Sequence, residues 1–235
     1  MRILKYSSGY LEAKAKINRN VSIPLLFLGS MGMICWFFFT LESFIFYISI
    51  ISLALGGYFF ENYTNYRKGI QGEKSVIEAL SHLSDEYYLI NDVKFESLRG
   101  NIDHIVIGPN GIFVIETKNY SGRIICEGDE WVRCYGFIFP REYDIGSPSK
   151  QVKRNAVRVK EIIESSGILK DKRVWVEAIV VFTNPDVELE VINPTVPVLT
   201  VDKLCEYIKN KKTSNKFSSE EIKGIAQLIL AQTLG

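Results

Sequence analysis

Two charge-free apolar runs stand near the start of the chain, Val21 to Leu41 and Phe44 to Phe60, with only Glu42 and Ser43 between them. At about 1.5 Å per residue, such runs nearly or fully cross a hydrocarbon core of about 30 Å. The pattern predicts a transmembrane helical hairpin over residues 21–60, in which Pro24, Gly29, Gly32, Gly56 and Gly57 allow kinks or close helix packing. After a polar linker over 61–69 the periodicity changes. Val76, Ile77, Leu80 and Leu83 recur at helical spacing within Glu73 to Leu83. Tyr87 to Phe95, Asn101 to Ile107 and Ile112 to Lys118 read as strands, the last two forming an antiparallel hairpin around the turn Gly108-Pro109-Asn110-Gly111.

Further along, a strand pair is predicted between Gly122 and Phe139, around Trp131, and a helix over Gln151 to Glu164. The continuous apolar run Val174 to Phe182 has the composition of a central strand covered on both faces. A short strand over Val196 to Thr200 follows, then helices over Asp202 to Ile208 and Ser219 to Leu234, the latter with a capping-box pattern from Ser218 to Glu221. Trp131 and Trp175 both read as core residues. The expected fold is α/β, a mixed central sheet flanked by helices and preceded by two transmembrane helices.

Charge sharpens the division. The 235 residues carry 28 Lys and Arg against 27 Asp and Glu, and 47% of them are hydrophobic, which excludes a disordered polar chain and gives no global basic footprint. The near-neutral total is a sum over unlike parts. Residues 1–20 carry +4, residues 21–60 hold 28 apolar side chains and one acid, Glu42, and residues 61–235 carry −2. The expected organisation is a basic cytoplasmic tail over 1–20, spans over 21–41 and 44–60, the linker over 61–69 and a soluble domain over 70–235. Basic residues flank the hairpin on both sides, Lys14, Lys16 and Arg19 before it and Arg67 and Lys68 after it. The positive-inside rule then places both termini and the domain in the cytoplasm. The four cysteines form no CxxC pair, which argues against a zinc site or a disulfide framework.

Alternation along Ile112 to Lys118 puts Glu116 and Lys118 on one face. If the hairpin loop has an even number of residues, Gly108 opposes Gly111 and Asp103 lies directly across from Glu116. A one-residue bulge instead sends Asp103 to the other face. Two carboxylates about 5 Å apart repel each other unless a cation or proton lies between them, and hard oxygen donors suit Mg²⁺ or Mn²⁺.

The string Gly69-x-x-Gly72-Glu73 before a helix, followed by Ile102-Asp103-His104-Ile105-Val106-Ile107-Gly108-Pro109-x-Gly111-Ile112-Phe113-Val114-Ile115-Glu116-Thr117-Lys118-Asn119, resembles the NERD (nuclease-related) domain over about residues 66–182. That family is placed in the PD-(D/E)XK nuclease superfamily, so the resemblance implies a restriction-endonuclease-like fold. It also implies that Asp103 and Glu116 are metal-binding acids and Lys118 the motif lysine. Glu73 matches the helix-borne acid, as a further metal ligand, and Gln151 the glutamine of many members. Ile102 stands where the superfamily name has Pro. Lys150, Lys153, Arg154, Arg158 and Lys160 place five basic residues and no acid within eleven positions, a strip able to receive phosphates. The function expected is that of a membrane-anchored, metal-dependent nuclease with nucleic acid as partner, DNA ahead of RNA. A catalytically silent, membrane-tethered module binding nucleic acid or protein is the alternative, and self-association through the Gly-containing hairpin is a third reading. His104 alternates away from Asp103 and is expected to be packed or exposed, not a ligand.

Overall fold

The computed structural model describes residues 1–6, 9–39, 42–96, 100–135, 141–169, 172–213 and 216–233. Leu41, Leu234 and residues 136–139 of the predicted strand pair lie outside them. The chain divides into two units, residues 8–71 and residues 1–7 together with 72–235.

The first unit is built by helices α1 (Tyr10–Phe39) and α2 (Ser43–Leu80), the second of which continues beyond it. Both are long and apolar enough to cross a membrane, and only 11% of the most apolar window of each is buried, so neither window is a core segment. Gly29, Gly32 and Gly56 serve close packing, whereas Gly57 faces open space. A Cβ on Gly29 would lie 2.7 Å from Leu53 Cγ and 2.9 Å from the Ser49 carbonyl, and one on Gly56 would lie 2.8 Å from Leu26 Cγ. Ser52 Oγ donates to the Leu25 carbonyl at 2.7 Å across the same seam.

Two boundaries differ from the sequence expectation. Residues 61–69 are not an irregular linker but part of α2, because no proline interrupts residues 43–80 and polarity alone does not end a helix. Nor is the N-terminus a tail throughout. Arg2–Lys5 forms strand β1, which pairs in parallel with β2 (Tyr88–Val93).

The second unit is organised around a six-stranded mixed sheet in the order β1-β2-β3-β4-β8-β10, with β3 (Ile102–Gly108), β4 (Gly111–Lys118), β8 (Val176–Phe182) and β10 (Val198–Thr200). Alternation on β4 builds two apolar layers. Ile112 and Val114 pack into a core with Val152, Val159 and Ile163 of helix α3 (Pro148–Ser166) and with Ile225 and Ile229 of helix α5 (Ser219–Gln232). Phe113 and Ile115 pack on the opposite face with Val76 and Leu80 of α2 and with Leu204 and Ile208 of helix α4 (Val201–Asn210). Strand β8 pairs with both β4 and β10, which explains its unbroken apolar run. The capping box forms, with Ser218 accepting from Glu221 N–H and Glu221 from Ser218 N–H.

The strand pair predicted around Trp131 forms as β5 (Gly122–Glu127) and β6 (Glu130–Tyr135), and it belongs to a second sheet in the order β7-β6-β5-β9, whose outer strands β7 (Arg141–Asp144) and β9 (Val187–Ile192) the sequence reading did not include. Trp131 of β6 is buried and stacks on Phe182 with 5.8 Å between ring centroids. Trp175 is not in the core: it is 66% exposed, because it precedes the first residue of β8 and lies beyond the cover of the helices.

Candidate metal centre

Register decides whether the two acids meet. Gly108 pairs with Gly111 and the ladder runs on through His104 opposite Ile115, so the hairpin has the even, two-residue loop. Gly108 is required here, since a Cβ would come 2.2 Å from the Tyr87 ring. Asn110 fixes the turn from outside, accepting from Tyr87 Oη at 3.0 Å and donating to the Ile208 carbonyl. One further step along this register sets Asp103 across from Glu116. Asp103 Oδ2 accepts from the Thr117 N–H at 2.7 Å, which ties the acid to the end of β4.

Lys118, two residues beyond Glu116 on the same face, donates from Nζ to Glu116 Oε1 at 2.6 Å. Glu116 is 2% exposed, and its other oxygen, Oε2, has no hydrogen-bond partner. Burial pushes the Glu116 carboxyl up, against the opposing pull of Lys118, Arg154 and Gln151. Asp103 is pushed up to about 7, first by burial and then by the Glu116 charge, while the Thr117 N–H and Lys118 oppose the shift. Burial works against the Lys118 ammonium, but Glu116 and Asp103 outweigh it and its pKa rises. One lysine therefore fails to compensate two inward-facing carboxylates, and the group has room for another positive charge.

Helix α3 supplies the flanking residues. Ser147 caps it by accepting from the Lys150 N–H at 3.2 Å, and Pro148 begins its first turn. Its apolar face lies on β4 and β8, leaving Gln151 and Arg154 near enough to favour ionised Glu116. At about 100° per residue, Gln151, Arg154 and Arg158 fall on one flank of α3 and Lys153 and Lys160 on the other. The strip is thus not one basic surface. Lys153 binds both oxygens of Asp129, at 2.6 and 2.9 Å, and also Thr195; Arg158 pairs with Glu161 at 3.2 Å and Lys160 with Glu164 at 3.7 Å.

Glu73 is placed by Gly72, where a Cβ would lie 2.9 Å from Thr183 Oγ1 and 3.3 Å from Asn119 Cβ. That close approach brings α2 to the same end of β4, on the face of Thr117, opposite the face of Glu116 and Lys118. Among the described residues no group of three or more His, Cys, Asp or Glu side chains is arranged to hold a metal. Asp103 and Glu116 meet as a pair without Glu73 completing a triad. His104 is fully buried on the other face, with Nδ1 2.7 Å from Asn91 Oδ1, and burial lowers its pKa to about 3.

Sequence reasoning passed over Asp92. It occupies β2 opposite Asp103 with a left-handed φ of 51°, and its charge adds to the upward push on Asp103. Only the polar pair Asn91-Asp92 inside an apolar strand signalled it.

Residues 68–183 match the nuclease-related domain family, NERD. The chain carries a nuclease-related domain. That domain contains β2 to β4, α3 and β8 whole, and hence every residue of the acid pair and its lysine. An uncharacterized protein of Bacillus anthracis is 36% identical over 101 residues, covering 41% of this chain and 47% of its own length. The probable kinase PglW of Streptomyces coelicolor is 27% identical over 116 residues, 49% of this chain and 7% of that protein. The chain therefore spans less than half the length of either relative. No solved structure matches it.

Proposed function

We propose that this protein is a membrane-anchored, metal-dependent nuclease that hydrolyses phosphodiester bonds of nucleic acid, DNA ahead of RNA. The observation that carries the reading is the facing of Asp103 and Glu116 at the end of β3 and β4, with Lys118 bonded to Glu116 and Glu116 Oε2 left without a partner. An orphaned carboxylate oxygen in the interior, beside an acid raised to about 7, fits a hard divalent cation. Asp103 and Glu116 would hold Mg²⁺ or Mn²⁺, and Glu73, brought to the same end of β4 on the other face, would act only through water. When bound, the ion supplies Lewis acidity toward a phosphoryl oxygen.

The chain's own residues do the rest. Lys118, positively charged beside the acids, offsets charge developing on the phosphoryl oxygens. Gln151 orients the Glu116 carboxylate. Arg154 and Lys150, in the opening turns of α3, contact phosphate on either side of the scissile bond. Among the described residues these two side chains have no ion pair of the kind that engages Lys153 and Arg158.

Connectivity supports the anchored topology. Residues 8–71 leave one folded unit and return to it, so with both candidate spans in a bilayer the two ends of the hairpin would lie on the same side, and the flanking basic residues favour the cytoplasm for that side. The test is cleavage of labelled DNA and RNA by the detergent-purified full chain, with Mg²⁺, Mn²⁺ or EDTA. Cleavage that needs metal and is lost in Asp103→Asn and Lys118→Ala supports the reading. A wild type inert on every substrate, or variants as active as it, overturns it.

A further inference from the structure

At the opposite end of β4 and β8 from the acid pair, Trp175 forms the wall between two clefts of about 390 and 330 Å³. Its indole is two-thirds exposed, yet it is not loose: Nε1 donates to Glu177 Oε2 at 2.9 Å. Glu177 is itself buried and fixed from two further sides, by Tyr207 Oη at 2.9 Å and by Lys211 Nζ at 2.7 Å. The ring is therefore held at one edge while it lines both clefts. Exposing so large an apolar surface is unfavourable for a folded domain, and holding it rigid adds a cost in side-chain entropy.

The surroundings name the ligand. The larger cleft is lined by Arg173, Lys211 and Lys212 with Phe217 at its side, and Glu177, already satisfied, is the one acid among its described lining residues. The smaller carries Lys153 and Lys160 beside the half-exposed Val157, and shares Glu177 as its acid. A fixed aromatic plane between cation-lined clefts is the arrangement that binds unpaired nucleic-acid strands, with bases on the ring and phosphates on the cations. A duplex hides its base faces and gains nothing from such a ring.

We infer that Trp175 is the stacking platform of a second nucleic-acid contact, taking one base of a single strand while Lys212 binds an adjoining phosphate. This rests on nucleic acid being the domain's ligand, and it narrows that ligand to single-stranded segments. Val176 pairs with Ile112 and Val180 with Glu116, so Trp175 lies five residues, about 16 Å, from the catalytic end along β8. Helix α3 spans the same interval, with Gln151 at the acid pair and Val157 and Lys160 at the smaller cleft. A strand engaging both contacts would run beside α3.

The test is titration of the full chain in detergent with a 15-nucleotide oligothymidylate in EDTA, where no cleavage is needed. The expected signal is saturable quenching of tryptophan fluorescence, since Trp131 is buried and Trp36 lies in the apolar helix α1. Trp175→Ala should bind about tenfold more weakly and lose the quench, Trp175→Phe should retain binding within about threefold, and Lys212→Glu, an exposed change, should flatten the salt dependence. Equal affinity of Trp175→Ala and wild type overturns the inference, as does thymidine monophosphate or a 15-base-pair duplex binding as tightly as the single strand. Trp175-dependent binding without metal-dependent cleavage would sink the nuclease reading alone. Metal-dependent cleavage with binding indifferent to Trp175 would sink this contact alone.

Discussion

Lys118 Nζ lies 2.6 Å from Glu116 Oε1, while Oε2 of the same carboxylate has no partner in an almost fully buried setting. The pair is half-finished: one oxygen is answered within the chain and the other is buried without an answer. Removing the lysine leaves a buried carboxylate uncompensated. Lys118→Met should therefore lower the unfolding free energy by about 3 kcal/mol, and Lys118→Met with Glu116→Gln should recover most of it. Chemical denaturation of the four combinations measures the coupling, and strict additivity would contradict it.

Asp103 gives a pH signature. Its carboxyl, ordinarily near 3.8, is raised to about 7, so the folded state holds its proton more tightly than the unfolded chain does. Its contribution to stability is full below the unfolded value and is lost as pH rises toward about 7. A divalent cation takes the place of that proton. Mg²⁺ or Mn²⁺ should raise the melting temperature at pH 8 and leave it nearly unchanged at pH 5. Asp103→Asn, which keeps an acceptor for the Thr117 N–H, should melt higher than wild type at pH 8 without metal and ignore added metal. Thermal scans at the two pH values check each point.

The divided basic face of α3 predicts unlike results for adjacent residues. Arg154→Ala should weaken nucleic-acid binding and reduce its salt slope by about one, as loss of a phosphate contact does. Lys153→Ala should alter affinity less and stability more, because it strands Asp129, whose carboxyl is held below its usual range mainly by the hydrogen bond from Lys153. Fluorescence anisotropy over a salt series, with a parallel melt, separates the two.

In the hairpin, Gly29 and Gly57 should behave oppositely. A side chain at Gly29 meets Leu53 and the Ser49 carbonyl, whereas one at Gly57 has nothing within 4 Å. Gly29→Ile should destabilise the α1–α2 pair by about 1–3 kcal/mol and Gly57→Ile by much less. The temperature at which each detergent-solubilised variant aggregates ranks them.

What the sequence disclosed followed the strength of local signals. The β3–β4 hairpin was legible because Gly108-Pro109-Asn110-Gly111 is a strong turn sequence and the flanking runs are long and apolar, but its register stayed open between an even loop and a one-residue bulge until the pairing of Gly108 with Gly111 decided it. Strands β1, β7 and β9 were not, being short or polar, and their pairing depends on partners far away in the chain. Helix α2 was cut too short because a polar stretch between two apolar patterns looks the same whether coiled or loose. Trp175 was assigned to the core because an apolar run does not reveal where its protein cover ends. Lys153 was grouped with Arg154 because adjacency in sequence conceals that the two leave a helix on different flanks.

Strand β1 alters how this protein can be dissected. Its four residues precede the hairpin, yet they close the edge of a sheet whose other strands come after residue 87. A soluble fragment starting beyond the apolar helices would discard β1 along with them and leave β2 as an open edge, a template for pairing with another copy. Insolubility of such a fragment would then report a missing strand, not a domain unable to live without lipid. A fair dissection supplies residues 1–7 again, joined or as a separate peptide, and asks whether the sheet accepts them.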